Sequence, residues 1–209
     1  LILRNIIFMR HERYMDLIDI QKDLKKVLSA KRYRHSAGVA DSARALADKY
    51  GANAEKAYIA GWVHDCAKEL SLSEMHDIVN EHSLRLDKYV LSSKALLHGP
   101  VGSILCETKY GIDDKDIKSA IFYHTTGRTN MTLLEKIIFL ADYIEPSRDF
   151  PGVDTIRKLA EKDLNQAVLS AYNSTIKHLI DQDAYIYDLT FLGRNDMVLL
   201  IDGENDTAR

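Results

Sequence analysis

GWVHDCAKEL, residues Gly61–Leu70, sets a histidine beside an aspartate at the end of an apolar run. Ala57, Tyr58, Ile59 and Ala60 lead into Trp62 and Val63, so His64 and Asp65 stand where the chain is still turned toward a core. A His-Asp pair buried there is costly unless something compensates for its lost hydration. Taken alone, the stretch also fits a helix leaving the core with both side chains turned to water, since buried polar groups usually find hydrogen bonds. The surrounding sequence decides between the two.

Outward from this stretch the pattern is helical almost everywhere. Residues 34–50, RHSAGVADSARALADKY, place Val39, Ala43, Leu46, Ala47 and Tyr50 on one stripe, with Gly51 as the stop. Asn53 is the expected cap of the helix that carries His64 and Asp65. Ser71 with Glu74 makes a capping-box pattern before EMHDIVNEH, and Thr132 with Glu135 repeats it before LLEKIIFLADYIE, which Pro146 ends. GPVGSILCETKYG predicts a helix begun at Pro100 and stopped at Gly111, and DDKDIKSAIFYH follows with acids in its first turn. A long helix is expected from Asp163 to Asp181. Only YIYDLTFL and MVLLI carry the aromatic and β-branched bias of strands. The expectation is one all-α domain with a short extended segment near the C-terminus. Its boundaries are 1–19 for an N-terminal extension, 20–200 for the domain and 201–209 for a tail.

Composition narrows the function classes. A chain of 209 residues, 46% hydrophobic and 28% charged, suits one globular domain with a substantial core. A net charge of −3 gives no global attraction for nucleic acid or acidic lipid, so neither is an expected partner and any anion site must be local. Cys66 and Cys106 lack CxxC spacing and read as reduced thiols of a cytoplasmic protein. No apolar run approaches the roughly 20 residues of a membrane span. The chain begins at Leu1, and whether it is cut from a longer protein is open.

Four of the eight histidines sit at the edges of apolar helices: His35, His64, His98 before Gly99-Pro100, and His124 before Thr125-Thr126-Gly127. Asp142 lies inside IIFLADYIE, where an unpartnered charge is expensive. Metal coordination accounts for these residues and Asp65 together, since imidazole and carboxylate suit first-row divalent metals and a cation offsets buried carboxylates. His11, His76, His82 and His178 lie in polar or terminal contexts and read as surface residues.

The order His35, His64-Asp65, His98, His124, Asp142 resembles the HD-domain metal-dependent phosphohydrolases, and the two intervening histidines resemble their dinuclear branch. RYRHSAGVA, HDCAKEL, LLHGPVGS, AIFYHTTGR and MTLLEKIIFLADYIEPSRDFPGV narrow the match. Together they are similar to the bacterial symmetrical bis(5′-nucleosyl)-tetraphosphatases, the YqeK family, over residues 20–195. The resemblance implies an HD-domain helical bundle holding two metals, usually iron, with manganese or zinc as alternatives. It implies symmetrical cleavage of diadenosine tetraphosphate into two ADP by a hydroxide that bridges the metals and attacks phosphorus. Paired cations suit a phosphoanhydride, whose charge otherwise repels nucleophiles. By this analogy His35, His64, Asp65 and Asp142 hold the first metal, and His98 and His124 complete the second. Asp65 is the expected bridge because a carboxylate has two oxygens.

Around these ligands, Lys68 is expected on the same rim as Asp65, three residues on, as a catalytic and phosphate-binding cation. Arg32 and Arg148 are the expected phosphate-gripping arginines, and Thr125 and Thr126 either meet phosphate or cap the adjoining structure. Lys136 is expected away from this face. The family's C-terminal stretch usually reads Ile-His-Pro-x-Thr and then Arg-Asn. Here it is IYDLTFLGRN: Ile186, Thr190, Arg194 and Asn195 remain, while Tyr187 and Asp188 replace His and Pro. Ile186 and Tyr187 are the expected base-side contacts, Tyr187 by stacking. A homodimer is compatible with this reading. The competing readings are another HD phosphohydrolase, such as a nucleotide monophosphatase, and a nucleotide-sensing module without turnover.

Overall fold

The computed structural model describes residues 15–207, which form eleven helices and no strand. His11, most of the expected 1–19 extension and residues 208–209 lie outside the described residues. Local chemistry sets most boundaries. The first helix, α1 (Leu17–Val27), starts at Asp16, whose side chain accepts from Asp19 N. The next, α2 (Ala30–Tyr50), starts at Ser29 and ends at Gly51, in the left-handed conformation at φ 76°. Asn53 caps α3 (Ala54–Val63), as its sequence position predicts. Ser71 and Glu74 form a complete capping box on α4 (Leu72–Glu81). Asp87 caps the short α5 (Lys88–Ser92), and α6 spans Lys94–Thr108. Asp114 caps α7 (Lys115–Tyr123), and the capping box of Thr132 and Glu135 opens α8 (Leu133–Ile144). The chain closes with α9 (Val153–Ala160), α10 (Leu164–Asp181) and α11 (Asp188–Thr207).

These helices pack around α2 and α8. The α2 helix lies along α3 and α8, α7 lies against α3, α6 and α8, and α10 packs on α8, α9 and α11. Val39, Ala43, Leu46 and Ala47 of α2 join Ile137, Ile138 and Leu140 of α8 in the main core. A smaller core of Met75, Val79, Val90, Leu97 and Val101 joins α4, α5 and α6. The contact between α2 and α3 is backbone on backbone. A Cβ added to Gly61 would lie 2.5 Å from Ala40 Cα.

Three sequence expectations are corrected here. The sixth helix starts at Lys94, not at Pro100, which lies inside it; His98 is therefore an interior helical residue. Ser93 supplies the carbonyl for the first bonds, from Leu96 N at 3.0 Å and Leu97 N at 2.8 Å, so the helix is already established before proline removes a donor. The expected C-terminal extended segment is helical, because α11 covers Asp188–Thr207. Its buried residues Thr190, Gly193, Met197 and Ile201 recur with helical spacing, and Gly193 lies against the Tyr172 hydroxyl of α10. With no strand among the described residues, the β-biased side chains there have no described strand to pair with. His76, expected on the surface, is half-buried and its Nε2 meets Leu91 O at 2.7 Å, tying α4 to α5; His82 and His178 are exposed as expected.

Because the α2–α3 contact has no room for a methyl group, Gly61→Ala should cost about 1–3 kcal/mol of stability. A lower urea midpoint at unchanged m-value is the expected reading, and an unchanged midpoint would contradict this packing.

Candidate metal centre

Five helices or their ends deliver the six expected ligands to one place. His35 comes from α2, His64 and Asp65 from the end of α3, His98 from α6, His124 from the end of α7 and Asp142 from α8. All four imidazoles and Asp65 are buried, Asp65 to 1% exposure. Their rings stack edge to face, with centroids 5.3 Å apart for His35–His64, 5.1 Å for His64–His124 and 4.8 Å for His98–His124.

Two of the imidazoles are aimed by a common local device. His64 and His124 each follow the last residue of a helix, α3 and α7, where terminal carbonyls lack helical partners. His64 Nδ1 donates to Gly61 O, and His124 Nδ1 to Ile121 O, both at 2.7 Å. Each Nε2 is thereby left as a lone pair facing the centre. His35 Nδ1 instead donates to the carboxylate of Glu145 at 3.0 Å. Burial pushes His98 down to about 4, against the pull of Asp65.

The Asp65 carboxylate divides the cluster. Its Oδ2 lies 3.7 Å from His35 Nε2 and 3.5 Å from His64 Nε2, whereas Oδ1 lies 3.2 Å from His98 Nε2 and 3.6 Å from His124 Nε2. Asp142 Oδ1 joins the first side, 3.0 Å from His35 Nε2 and 3.9 Å from His64 Nε2. Two overlapping groups have the spacing of a metal site: His35, His64 and Asp142, and His64, Asp65 and His124. Burial works against ionisation of both aspartates. His64, His124 and His98 hold Asp65 well below the usual carboxylate range, and His35, Arg148 and His64 do the same for Asp142.

The residues fit a bound cation. His35 Nε2, His64 Nε2 and Asp65 Oδ1 are buried without an aligned hydrogen bond and all face the same centre. Buried acceptors left this way cost free energy that a shared cation removes. Neutral imidazole nitrogens beside ionised carboxylates are a donor set for a first-row divalent metal.

The expected cations reach the same place. Arg32 Nη1 donates to Asp65 Oδ2 at 2.7 Å, and Arg148 grips Asp142 through the carboxylate and, from Nε, the backbone carbonyl at 2.8 Å. Lys68 Nζ lies 3.1 Å from His98 Nε2 and 3.7 Å from Asp65 Oδ1. It arrives by a turn after α3 rather than by a continuing helix, with Lys68 N bonded to Asp65 O at 2.9 Å. Thr125 Oγ1 stands 3.2 Å from both His98 Nε2 and His124 Nε2, while Thr126 turns away to bond Gly127 O. Ile186 and Tyr187 are not gathered into this cluster. Tyr187 donates its hydroxyl to Asp87 at 2.5 Å and packs on the smaller core, with Ile186 half-buried beside it. Arg194 is bonded to Asn173 and Asn195, and Lys136 to Asn165, away from the histidines.

Two buried carboxylates went unread in the sequence. Glu145, 1% exposed, backs His35 and also accepts from Ser147 N and Oγ at 2.7 and 2.5 Å. Its position three residues after Asp142 was a signal available in ADYIEPS. Glu135, legible only as half of a capping box, also receives Arg128 Nε and Nη2 and the Ser119 hydroxyl. That network braces the turn behind His124, where Gly127, at φ 59°, sits too close to the Tyr172 hydroxyl for any side chain.

The HD domain family profile matches residues 32–147. A protein of Bacillus subtilis named bis(5′-nucleosyl)-tetraphosphatase, symmetrical, is 44% identical over 176 residues, 84% of this chain and 94% of that one. A protein of the same name from Halalkalibacterium halodurans is 43% identical, again over 84% of this chain and 94% of its own length. A solved structure from Clostridium acetobutylicum, described as a predicted HD superfamily hydrolase involved in NAD metabolism, is 46% identical and superposes with a TM-score of 0.84, covering 87% of this chain and 96% of that one. With its histidines and aspartates gathered at the ends of five packed helices, this chain belongs to the HD domain family, in the group of proteins named symmetrical bis(5′-nucleosyl)-tetraphosphatases.

Proposed function

We propose that this protein hydrolyses diadenosine tetraphosphate, and related dinucleoside tetraphosphates, symmetrically to two nucleoside diphosphates. The supporting observation is Asp65: one buried carboxylate turns one oxygen to His35 and His64 and the other to His98 and His124. That is the donor arrangement a pair of cations needs, and the substrate class follows from the relatives' name. His35, His64, Asp65 and Asp142 would hold one ion, and His98 and His124, sharing Asp65, the other. The imidazole-rich set favours iron, manganese or zinc over magnesium, and we take iron as the resident metal. When bound, such a pair offsets polyphosphate charge and makes water reactive at neutral pH.

The chain's own residues do the rest. Arg32, Lys68 and Arg148 keep 27%, 30% and 37% of their side chains exposed while their heads rest on the ligand carboxylates and His98, so they can turn to phosphate oxygens at the rim. Thr125 offers its hydroxyl beside His98 and His124. Cations gripping a diphosphate would set the terminal phosphate of one ADP half at the centre, with the second ADP leaving to solvent. Ile186 and Tyr187 are kept as base-side contacts, Tyr187 through its ring face because Asp87 holds its hydroxyl. The hydrolase domain is taken as residues 20–200. No described helix is long and apolar enough to cross a membrane, and two buried free thiols, Cys66 and Cys106, suit a cytoplasmic setting.

Hydrolysis in ¹⁸O-labelled water should give ADP alone, with one label on a β-phosphate. AMP plus ATP would overturn the register, and phosphate released only from a nucleoside monophosphate would move the assignment to another HD phosphatase. Elemental analysis should find about two transition-metal ions per chain; one or none would contradict the paired site. Asp65→Ala and Asp142→Ala should abolish turnover and lower metal content with helical circular dichroism retained. His76→Ala should instead cost about 1 kcal/mol of stability, through its lost bond to Leu91, at unchanged turnover. A homodimer would cover the exposed Phe191, Leu192 and Leu199 of α11. Sedimentation velocity should show a dimer that Leu199→Glu converts to monomer; a monomeric parent protein would sink this assembly.

A further inference from the structure

The four imidazoles of the centre are not backed alike. His35 Nδ1 meets a carboxylate, Glu145 Oε1, at 3.0 Å. His64 and His124 each meet a backbone carbonyl at 2.7 Å. His98 Nδ1 is buried and has no hydrogen-bond partner. A carboxylate behind an imidazole fixes its tautomer and ring orientation and strengthens the opposite nitrogen as a donor. A carbonyl dipole does this with less charge, and an unpartnered Nδ1 gives the opposite nitrogen no such support.

The surroundings of Glu145 are shaped to keep it in this role. It follows α8 directly, and Pro146 turns the chain away after it. Ser147 N holds Oε2 at 2.7 Å, while the Ser147 hydroxyl donates to Oε1, the same oxygen that His35 uses. Across the interface, Gly38 lies one turn after His35 on α2. A Cβ there would fall 2.7 Å from Glu145 Oε2. Any side chain at position 38 displaces the carboxylate, so the absence of one is what admits Glu145 to His35.

We propose that Glu145 is a positioning residue that makes the two metal positions unequal: the position of His35, His64 and Asp142 binds more tightly and fills first, and the position completed by His98 and His124 holds the more exchangeable ion. This rests on the paired-site reading above. Metal-depleted protein titrated with Zn²⁺ against a chromogenic chelator should show two steps of different affinity. Glu145→Gln should weaken the tighter step roughly 10–100-fold and leave the weaker one unchanged. The amide cannot accept from both Ser147 N and His35 Nδ1 without turning a donor on one of them. Gly38→Ala, which alters no polar group, should produce the same selective loss, and it carries the test should the Gln variant not fold. His98→Ala should remove the weaker step and keep the tighter one. Variants at 145 and 38 that leave both steps alone or weaken both equally, or a His98→Ala protein that loses the tighter step, overturn the inference while the paired site stands. A single step in the unsubstituted protein overturns the paired site and the inference together.

Discussion

A carboxylate at 1% exposure is the constraint on which this structure turns. Asp65 remains ionised in a low-dielectric setting only because cationic or donor groups surround it, and leaving such a charge unpartnered costs about 3–5 kcal/mol. Arg32 meets one oxygen at 2.7 Å and Lys68 stands 3.7 Å from the other, while four imidazoles turn their Nε2 atoms toward the same carboxylate, an arrangement a shared cation would complete. These groups come from α2, the end of α3, α6 and the end of α7, so the demands of one buried charge bear on where four helices end or cross.

Close helix contacts make that convergence geometrically feasible. Gly61 lets α3 rest on the backbone of α2, and Gly99 brings α6 to the Phe122 carbonyl of α7, where a Cβ would lie 2.7 Å away. Interior density of this kind transmits small changes, so a methyl group at such a position moves a ligand as well as a core residue. The glycine at position 38 acts differently. It leaves room for a charged side chain instead of a neighbouring backbone.

The centre and the C-terminal region are built on different terms. At the centre, polar side chains from separate helices face one another, and several of their buried atoms have no hydrogen bond of their own. In α11, Arg194 bonds Asn173 and Asn195, and Phe191, Leu192 and Leu199 are exposed, while Tyr187 just before it binds Asp87. Tyr187, just before α11, donates to Asp87, the cap of α5, and so ties the start of α11 to that helix.

What could be read from the residues themselves was whatever depends on neighbours along the chain. Asn53, Ser71 with Glu74, and Thr132 with Glu135 satisfy amides within one turn, so their helix starts are local facts. The order of polar residues from His35 to Asp142 was legible because apolar stripes leave such residues conspicuous. Where sequence misled, a distant partner decided. The β-biased tail became helix because α10 offers a surface with helical spacing and no strand among the described residues pairs with it. Proline at 100 signals a helix start, yet Ser93 had already begun one. Glu145 went unread because only folding brings it, 110 residues along the chain, onto His35. The division of Asp65 between two sets of imidazoles belongs to the same class. Sequence fixes which atoms are available, but the direction each oxygen faces is set by helices that meet only in the folded bundle.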